Sequence, residues 1–569
     1  MPSGIFGEQM TDLQTNCHVT VLAAGGDHAF APPDSRFLRG PHTVTHLTRS
    51  LILGCSMLAL AACGPEEISS PGGGNIDIDI TNPPAATPTP SPTPTATPTV
   101  TAAAGCPSGI SIPTLTDQGT MSGPTGSYRI CALPSVVSAS GTLPYIQGLL
   151  YHLDGQVDVG TDQGAASTNT ATTLTIEPGV MLYASGADYL NVNRGNRLNA
   201  IGTQAMPIIF TSRDNVLGLN TDNSSGQWGG VILNGRAPVT DCIGVGATPG
   251  TVNCERQVEG TVTPPRYGGA NPADNSGTLR YVQIRYSGFI LANGDELQSL
   301  TTGGIGSGTT LEYIQSHNSS DDGVEFFGGN VNARFLALIG AEDDILDTDT
   351  GVKANLQYVL GVQRSGVGDA MLEGDTTNGL IENTPRNNTR IANATLIQNS
   401  ASGAAAIRIR GGMDLAIVNS QIASLAGAPC IRIDDAQTIR AADAALDEVG
   451  PPIFTSVVLN CANDFVAGSG GVTLANTQAI FAAGTNNNAD FTATLVNGYI
   501  NGANEAAAVA ADPTALSTYF QPLPAGSANY VGAVRDAATD WTQGWTCNSA
   551  AVTFGTTNSG ACTSLPIYP

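Results

Sequence analysis

Carboxylates recur along this chain at the spacing of a repeat. Asp321, Asp322 and Glu325 come first, then Glu342, Asp343, Asp344, Asp347 and Asp349, then Asp369, Glu373 and Asp375. Asp322 and Asp344 are 22 residues apart, and Asp344 and Asp369 are 25 apart. If each group falls on one corner of successive coils, Asp322 stacks above Asp344, Asp369 lies one coil further, and Glu325 approaches Asp347. Neighbouring strands lie about 4.8 Å apart, so these acids would crowd one another. Crowded like charges either hold protons more tightly or take up a cation. Calcium suits such a set, being a hard ion that takes about six to eight oxygen ligands. Its candidate ligands are Asp322, Glu325, Asp344, Asp347 and Asp369.

The same acids could cleave a glycosidic bond. Asp322 would be the general acid, kept protonated by its neighbours, and Asp344 the base or nucleophile. A separation of about 5–5.5 Å would retain configuration and about 6.5–9.5 Å would invert it. Arg408 and Arg410 could grip a uronic carboxylate. A third reading is structural: Asp and Asn satisfy the local backbone in turns. DDG and EDD would then mark one corner, with Arg364, Arg408 and Arg410 neutralising the remainder. The residues leave all three readings open, and with them the question of enzyme or binding protein.

Other chemistry has less support. Once a leader is removed, only His152 and His317 remain, and no C-x-x-C occurs, so zinc, redox and iron–sulfur sites are disfavoured. His317 is near the acids in sequence and is a candidate auxiliary acid–base group. No Gly-rich loop ends in Lys-Ser or Lys-Thr, and no G-x-S-x-G elbow is present. Twenty-two Lys and Arg against 47 Asp and Glu give a net charge of −25, which argues against nucleic acid as a partner.

The elements around these residues read as short strands. TTLTIEPGVMLY (172–183), MPIIFTS (206–212) and WGGVILNG (228–235) are too short for helices and are punctuated by Gly, Asn and Asp. From Leu279 a diffuse repeat follows: LRYVQIRYSG, LEYIQSHNSSDDGVEFFGG, ARFLALIGAEDDILDTDTG and LQYVLGVQRSGVGDAMLEG, with matched features 22–25 residues apart. One such unit cannot bury its apolar face alone, but stacked units can. The expected fold is all-β, a right-handed parallel β-helix over 170–500. Residues 105–169 should cap one end, and 501–569 the other. In that C-terminal region, Trp541 and Trp545 would seal the last coil, and NEAAAVAADPTALSTYF could form one or two short helices.

The N-terminal part reads differently. Leu51–Ala62 is a short apolar run behind Arg49, with the features of a secretory signal. Residues 1–43 fit that signal badly, and the physiological start could lie near Val44. Residues 63–104 carry the run TPTPSPTPTATPT, which forms extended polyproline II and builds no core. They predict a disordered Pro/Thr-rich tether behind residues 1–62. Eight further cysteines form four local pairs, Cys106 with Cys131, Cys242 with Cys254, Cys430 with Cys461, and Cys547 with Cys562. Eight cysteines allow about 105 pairings, and nearest-neighbour disulfides are the expectation.

Two resemblances sharpen this. Leu60-Ala61-Ala62-Cys63 resembles the bacterial lipoprotein signal, which implies that Cys63 is lipidated and that the chain is anchored in the outer membrane, with cell-surface display expected. The segments TTLTIEPGV, PIIFTS, WGGVILNG, SDDGVEFFGG and IANATLIQN resemble secreted bacterial lipoproteins with the pectate-lyase-like β-helix. That implies a β-helical rod at the cell surface; the stalk, the low charge density, the local disulfides and the missing active-site signature favour a non-enzymatic rod that displays a face for a polysaccharide or an envelope partner. Asp321-Asp322 and Arg408-Ile409-Arg410 are also partly similar to the acid pair and basic strand of β-helical polygalacturonases, and pectate lyases combine stacked Asp, calcium and an arginine base. These imply the alternative, a polysaccharide-degrading glycosidase or lyase assisted by calcium.

Overall fold

Alternation in the strands gives each coil an inside and an outside. In Val324–Phe327, Val324 and Phe326 point inward and Glu325 points outward; Val324 pairs with Leu300, and Phe326 lies between Thr302 and Thr348. On a second face, Leu279, Leu311, Ala333, Leu356, Ile391, Ile417 and Phe454 follow one another in register. These inward columns merge into one long apolar core that runs through the stacked coils.

A computed structural model describes residues 99–569 apart from 167–168, 262, 292–295, 378, 402 and 524. The signal segment 1–62, Cys63 and the tether as far as residue 98 lie outside the described residues. The described strands form a wide sheet of 15 strands and a narrow sheet of 10, almost entirely parallel. The chain alternates between them, as a parallel β-helix requires. In the acidic segment the coil takes 22 residues from Glu325 to Asp347 and 26 from Asp347 to Glu373, and near the N-terminus it takes 33.

The wide sheet is folded along a crease. Its strands Gly277–Arg285, Thr310–His317, Asn330–Ile339 and Lys353–Val362 each contain one left-handed residue: Tyr281, Tyr313, Phe335 and Tyr358, with φ between 51 and 61°. Asn393, Asn419 and Ser456 continue the column in later coils. A left-handed non-glycine costs about 1–2 kcal/mol. Here the four rings stack in sequence, with centroids 4.4, 4.3 and 5.0 Å apart. Stacked pairs contribute about 0.5–1.5 kcal/mol each, enough to offset much of that strain.

The ends depart from the sequence-based boundaries. Parallel pairing already includes Gly126–Ala132 with Leu149–His152, and Val136–Val137 with Gln156–Val159, well before residue 170. These strands are two to seven residues long, too short to register as a repeat. An antiparallel strand, Thr116–Gly123, closes that edge. Val100 is buried and bridges to Gly126, so the end of the stretch read as tether is built into the rod.

At the other end the cap is the helix Leu474–Ala483, not residues 501–569. Its Phe481 packs 5.5 Å from Phe454 and 5.2 Å from Phe465. The C-terminal segment runs back along the side of the rod. Gln357 donates to the Gln521 carbonyl at 3.0 Å, Gln315 to that of Cys547 at 3.1 Å, Asn215 to that of Cys562 at 3.0 Å, and Gln147 to that of Tyr568 at 3.1 Å. Trp545 lies edge-on to Tyr281 and Tyr313, in mid-rod. A pattern of aromatics marks a surface to be covered, but the sequence does not say which surface. The helix Ala503–Ala507 and a 3-10 turn at Pro513–Ala515 lie where short helices were expected.

All four local disulfides are present: Cys106–Cys131, Cys242–Cys254, Cys430–Cys461 and Cys547–Cys562. The second staples an insertion between the narrow-sheet strand Gly230–Asn234 and the wide-sheet strand Gly277–Arg285. That insertion lays Val239, Val258 and Tyr267 over Tyr189, Ile232 and Phe327 on the outer side of the narrow sheet.

Candidate functional site

The outer side of the narrow sheet presents one continuous column. Thr301, Glu325, Asp347, Glu373, Arg408 and Arg432 are successive cross-strand partners. The column therefore changes from acidic to basic along the rod. Beside it, at the corner where each narrow strand begins, stand the aspartates. The backbone N–H of Asp344 donates to Asp322 Oδ1 at 2.9 Å, that of Ala370 to Asp344 Oδ1 at 2.6 Å, and that of Ala404 to Asp369 Oδ1 at 3.2 Å. Each aspartate thus pins the next coil, as a turn residue would.

The arginines are engaged as well. Arg408 reaches Glu373 at 3.0 Å and Asp434 at 3.3 Å, and Arg410 reaches Glu373 at 2.5 Å and Asp375 at 3.4 Å. Arg364 pairs with Glu342 at 2.6 Å. Arg432 and Asp434, which sequence reasoning did not single out, extend this network through a contact of 2.9 Å. The signal was present: Arg432-Ile433-Asp434 repeats the pattern of Arg408-Ile409-Arg410 in the following coil.

The acids nearer the N-terminal side have fewer cations. Three groups of carboxylate oxygens each converge to within 4.8 Å: Asp321 with Asp322 and Asp343, Asp322 with Glu325 and Asp347, and Asp343 with Asp344 and Asp369. Burial, then repulsion from Asp343, Glu296 and Glu259, pushes the Asp321 carboxyl up to about 7. Burial holds Asp322 well above the carboxylate range, with Asp321 and Asp344 adding to it. Burial again raises Glu325, Asp344, Asp347 and Asp349, and their acidic neighbours reinforce each shift. Glu296 and Glu259 enter from insertions outside the coils, and the repeat pattern gave no sign of them.

The five residues expected as metal ligands are divided between groups. Asp322, Glu325 and Asp347 meet in one, while Asp344 and Asp369 meet with Asp343 in another. A donor set made only of carboxylate oxygens, raised in proton affinity by mutual repulsion, fits a hard divalent cation such as calcium. His317 is elsewhere in its environment. It is fully buried, lies edge-on to Tyr286 at 5.2 Å, and is held well below the usual imidazole range by burial and by Arg285 and Arg364. That is no setting for an acid–base partner of the aspartates.

Residues 153–507 match the model of a family described as a pectate-lyase like beta helix domain. No curated protein and no solved structure matches the chain.

Proposed function

The chain belongs to the pectate-lyase-like β-helix family, and from that premise we propose that it is a non-enzymatic, lipid-anchored envelope protein that binds polysaccharide on the outer face of its narrow sheet. One observation carries the choice of binding over cleavage. Asp322 and Asp344 accept backbone N–H groups of the next coil, and Arg408 and Arg410 are tied to carboxylates. Asp322 commits Oδ1 to the next coil and keeps Oδ2 for a cation, while Arg408 and Arg410, which would grip a uronic carboxylate, are committed to holding the face together.

Calcium would be held by Asp322, Glu325 and Asp347, and would let an acidic face meet an acidic or hydroxyl-rich glycan. The Leu60–Cys63 box and the Pro/Thr-rich tether support anchoring through a lipid on Cys63, in the outer membrane and facing outward. Radiolabelled fatty acid should then enter the wild type and not Cys63→Ala.

A glycan array run with and without calcium, with reducing-end release measured in the same wells, tests the binding reading. The expected result is calcium-dependent retention without release, and weaker retention with magnesium, which demands a tighter octahedral shell. Release that disappears in Asp322→Asn or Asp344→Asn would replace this reading with the glycosidase or lyase.

A further inference from the structure

An apolar hollow of about 420 Å³ lies on the outer side of the narrow sheet, on the N-terminal side of the acidic column. That volume is within the roughly 300–1,000 Å³ range of small-ligand pockets. Tyr189 and Gln156, cross-strand partners in neighbouring coils, form its floor. Tyr189 Oη donates to Gln156 Oε1 at 2.7 Å, and Gln156 Nε2 donates to Asp158 Oδ1 at 3.1 Å, so the polar atoms of the floor are engaged. Gly260 and Thr261, from the insertion that Cys242–Cys254 staples, form one wall. Phe289, Ile290 and Leu291, from the connection that follows Gly277–Arg285, form the other. Phe289 and Leu291 are half-buried, and Ile290 is 54% exposed. Three consecutive apolar side chains left partly in water mark a surface to be covered.

Each wall also carries a carboxylate. Glu259 directly precedes Gly260, and Ile290 forms an isolated β-bridge with Glu296. Both acids repel charge on Asp321, so the two walls bring their carboxylates to the same place. Asp321 in turn lies with Asp322 and Asp343 in a group whose oxygens converge to within 4.8 Å. Burial raises the Glu296 carboxyl, and Asp343 and Glu342 add to it, while the Ser320 hydroxyl opposes. Among the described residues no arginine or lysine pairs with Asp321, Asp343 or Glu296.

Carboxylates beside an apolar hollow select a positive ligand, because the low-dielectric walls strengthen attraction to a cation and repulsion of an anion alike. A metal ion alone would leave the apolar walls in water. A neutral hydrocarbon would leave the acids uncompensated. A molecule with an aromatic or branched body and an ammonium group answers both. We propose that this hollow binds a small organic cation with an apolar body, independently of polysaccharide and of any metal ion.

The test is calorimetric titration of the purified full chain, at neutral pH, with naphthylmethylamine, the neutral naphthylmethanol and the anionic naphthoate. All runs are made in chelator, where a calcium site on the acidic face is silent, so that failure of one site is distinguishable from failure of the other. The amine should bind saturably, the alcohol about fivefold more weakly, and the naphthoate not at all. Glu296→Gln should remove most of the amine's advantage and leave the alcohol unchanged. Ala187→Trp, which fills the mouth from an exposed position, should abolish binding while the melting temperature stays unchanged. Ile290→Asn, also at an exposed position, should weaken amine and alcohol alike. An alcohol or naphthoate that binds as tightly as the amine, an amine advantage untouched by Glu296→Gln, undiminished binding to both wall variants, or no saturable heat would each overturn the proposal.

Discussion

At the scale of residues, the acidic face carries a pH dependence whose sign is fixed. Asp321, Asp322, Glu325, Asp344 and Asp347 bind protons more tightly in the folded chain than in the unfolded one. Their contribution to stability is fully present below the unfolded carboxylate range near pH 4, and is lost as pH rises through the folded values, about 7 for Asp321. In chelator the melting temperature should therefore fall between pH 5 and pH 8. Calcium competes with those protons, so it should raise the melting temperature at pH 8 and do little at pH 5. A cation bound only to the folded state adds about 2.7 kcal/mol at 100-fold excess over Kd. Differential scanning calorimetry at both pH values, with Asp322→Asn/Asp344→Asn alongside, checks this; the double variant should lose the calcium response. Buried His317 works in the opposite sense, since its proton affinity is lowered, and it should destabilise the fold only as pH drops below about 6.5.

At the scale of elements, the ring column and the C-terminal segment stabilise each other. The rings cover backbone strain, and the segment covers the rings. Its attachment is reinforced by Cys547–Cys562, which closes a 15-residue loop beside Tyr286. Removing that bridge should cost about 3 kcal/mol by the chain-entropy relation for a loop of this length. Urea unfolding of Cys547→Ser/Cys562→Ser would show it. Limited proteolysis of the same variant should cut first between residues 547 and 562, while the coils resist.

For the whole molecule, the returning segment matters more than an end cap would. It supplies Tyr499, Ile500, Val534 and Phe554 to a cluster with Ile339, Leu360 and Ile397 on the outer side of the wide sheet. A chain ending at residue 490 keeps the interior core and the helix Leu474–Ala483, yet uncovers that cluster and the rings. Such a truncation should bind a hydrophobic dye strongly and self-associate in sedimentation velocity, whereas loss of a true end cap would fray only the last coil. Unchanged dye binding and a monomeric profile would show that the segment is dispensable.

The sequence by itself determined the coil. Alternating inward residues and the 22-residue step from Asp322 to Asp344 encode stacking directly, because Glu325 pairs with Asp347 at that same step; the next coil steps 26 residues, from Asp347 to Glu373, so Asp369 aligns with Asp343 and not with Asp344 as expected. Local disulfides were legible for a similar reason: each of the four closes a loop of only 12 to 31 residues. What only the tertiary structure decided is how the outside of the rod is used. Whether Arg408 is free or paired depends on Glu373 and Asp434, which lie 35 and 26 residues away along the chain. The placement of Trp541 and Trp545 depends on a segment that returns across more than two hundred residues of rod to meet Tyr281 and Phe335. Period and register are local properties of a repeat, and a chain can carry them in its spacing. Which surface a non-repeating segment covers is settled by shape and burial across the whole molecule, and no spacing records it.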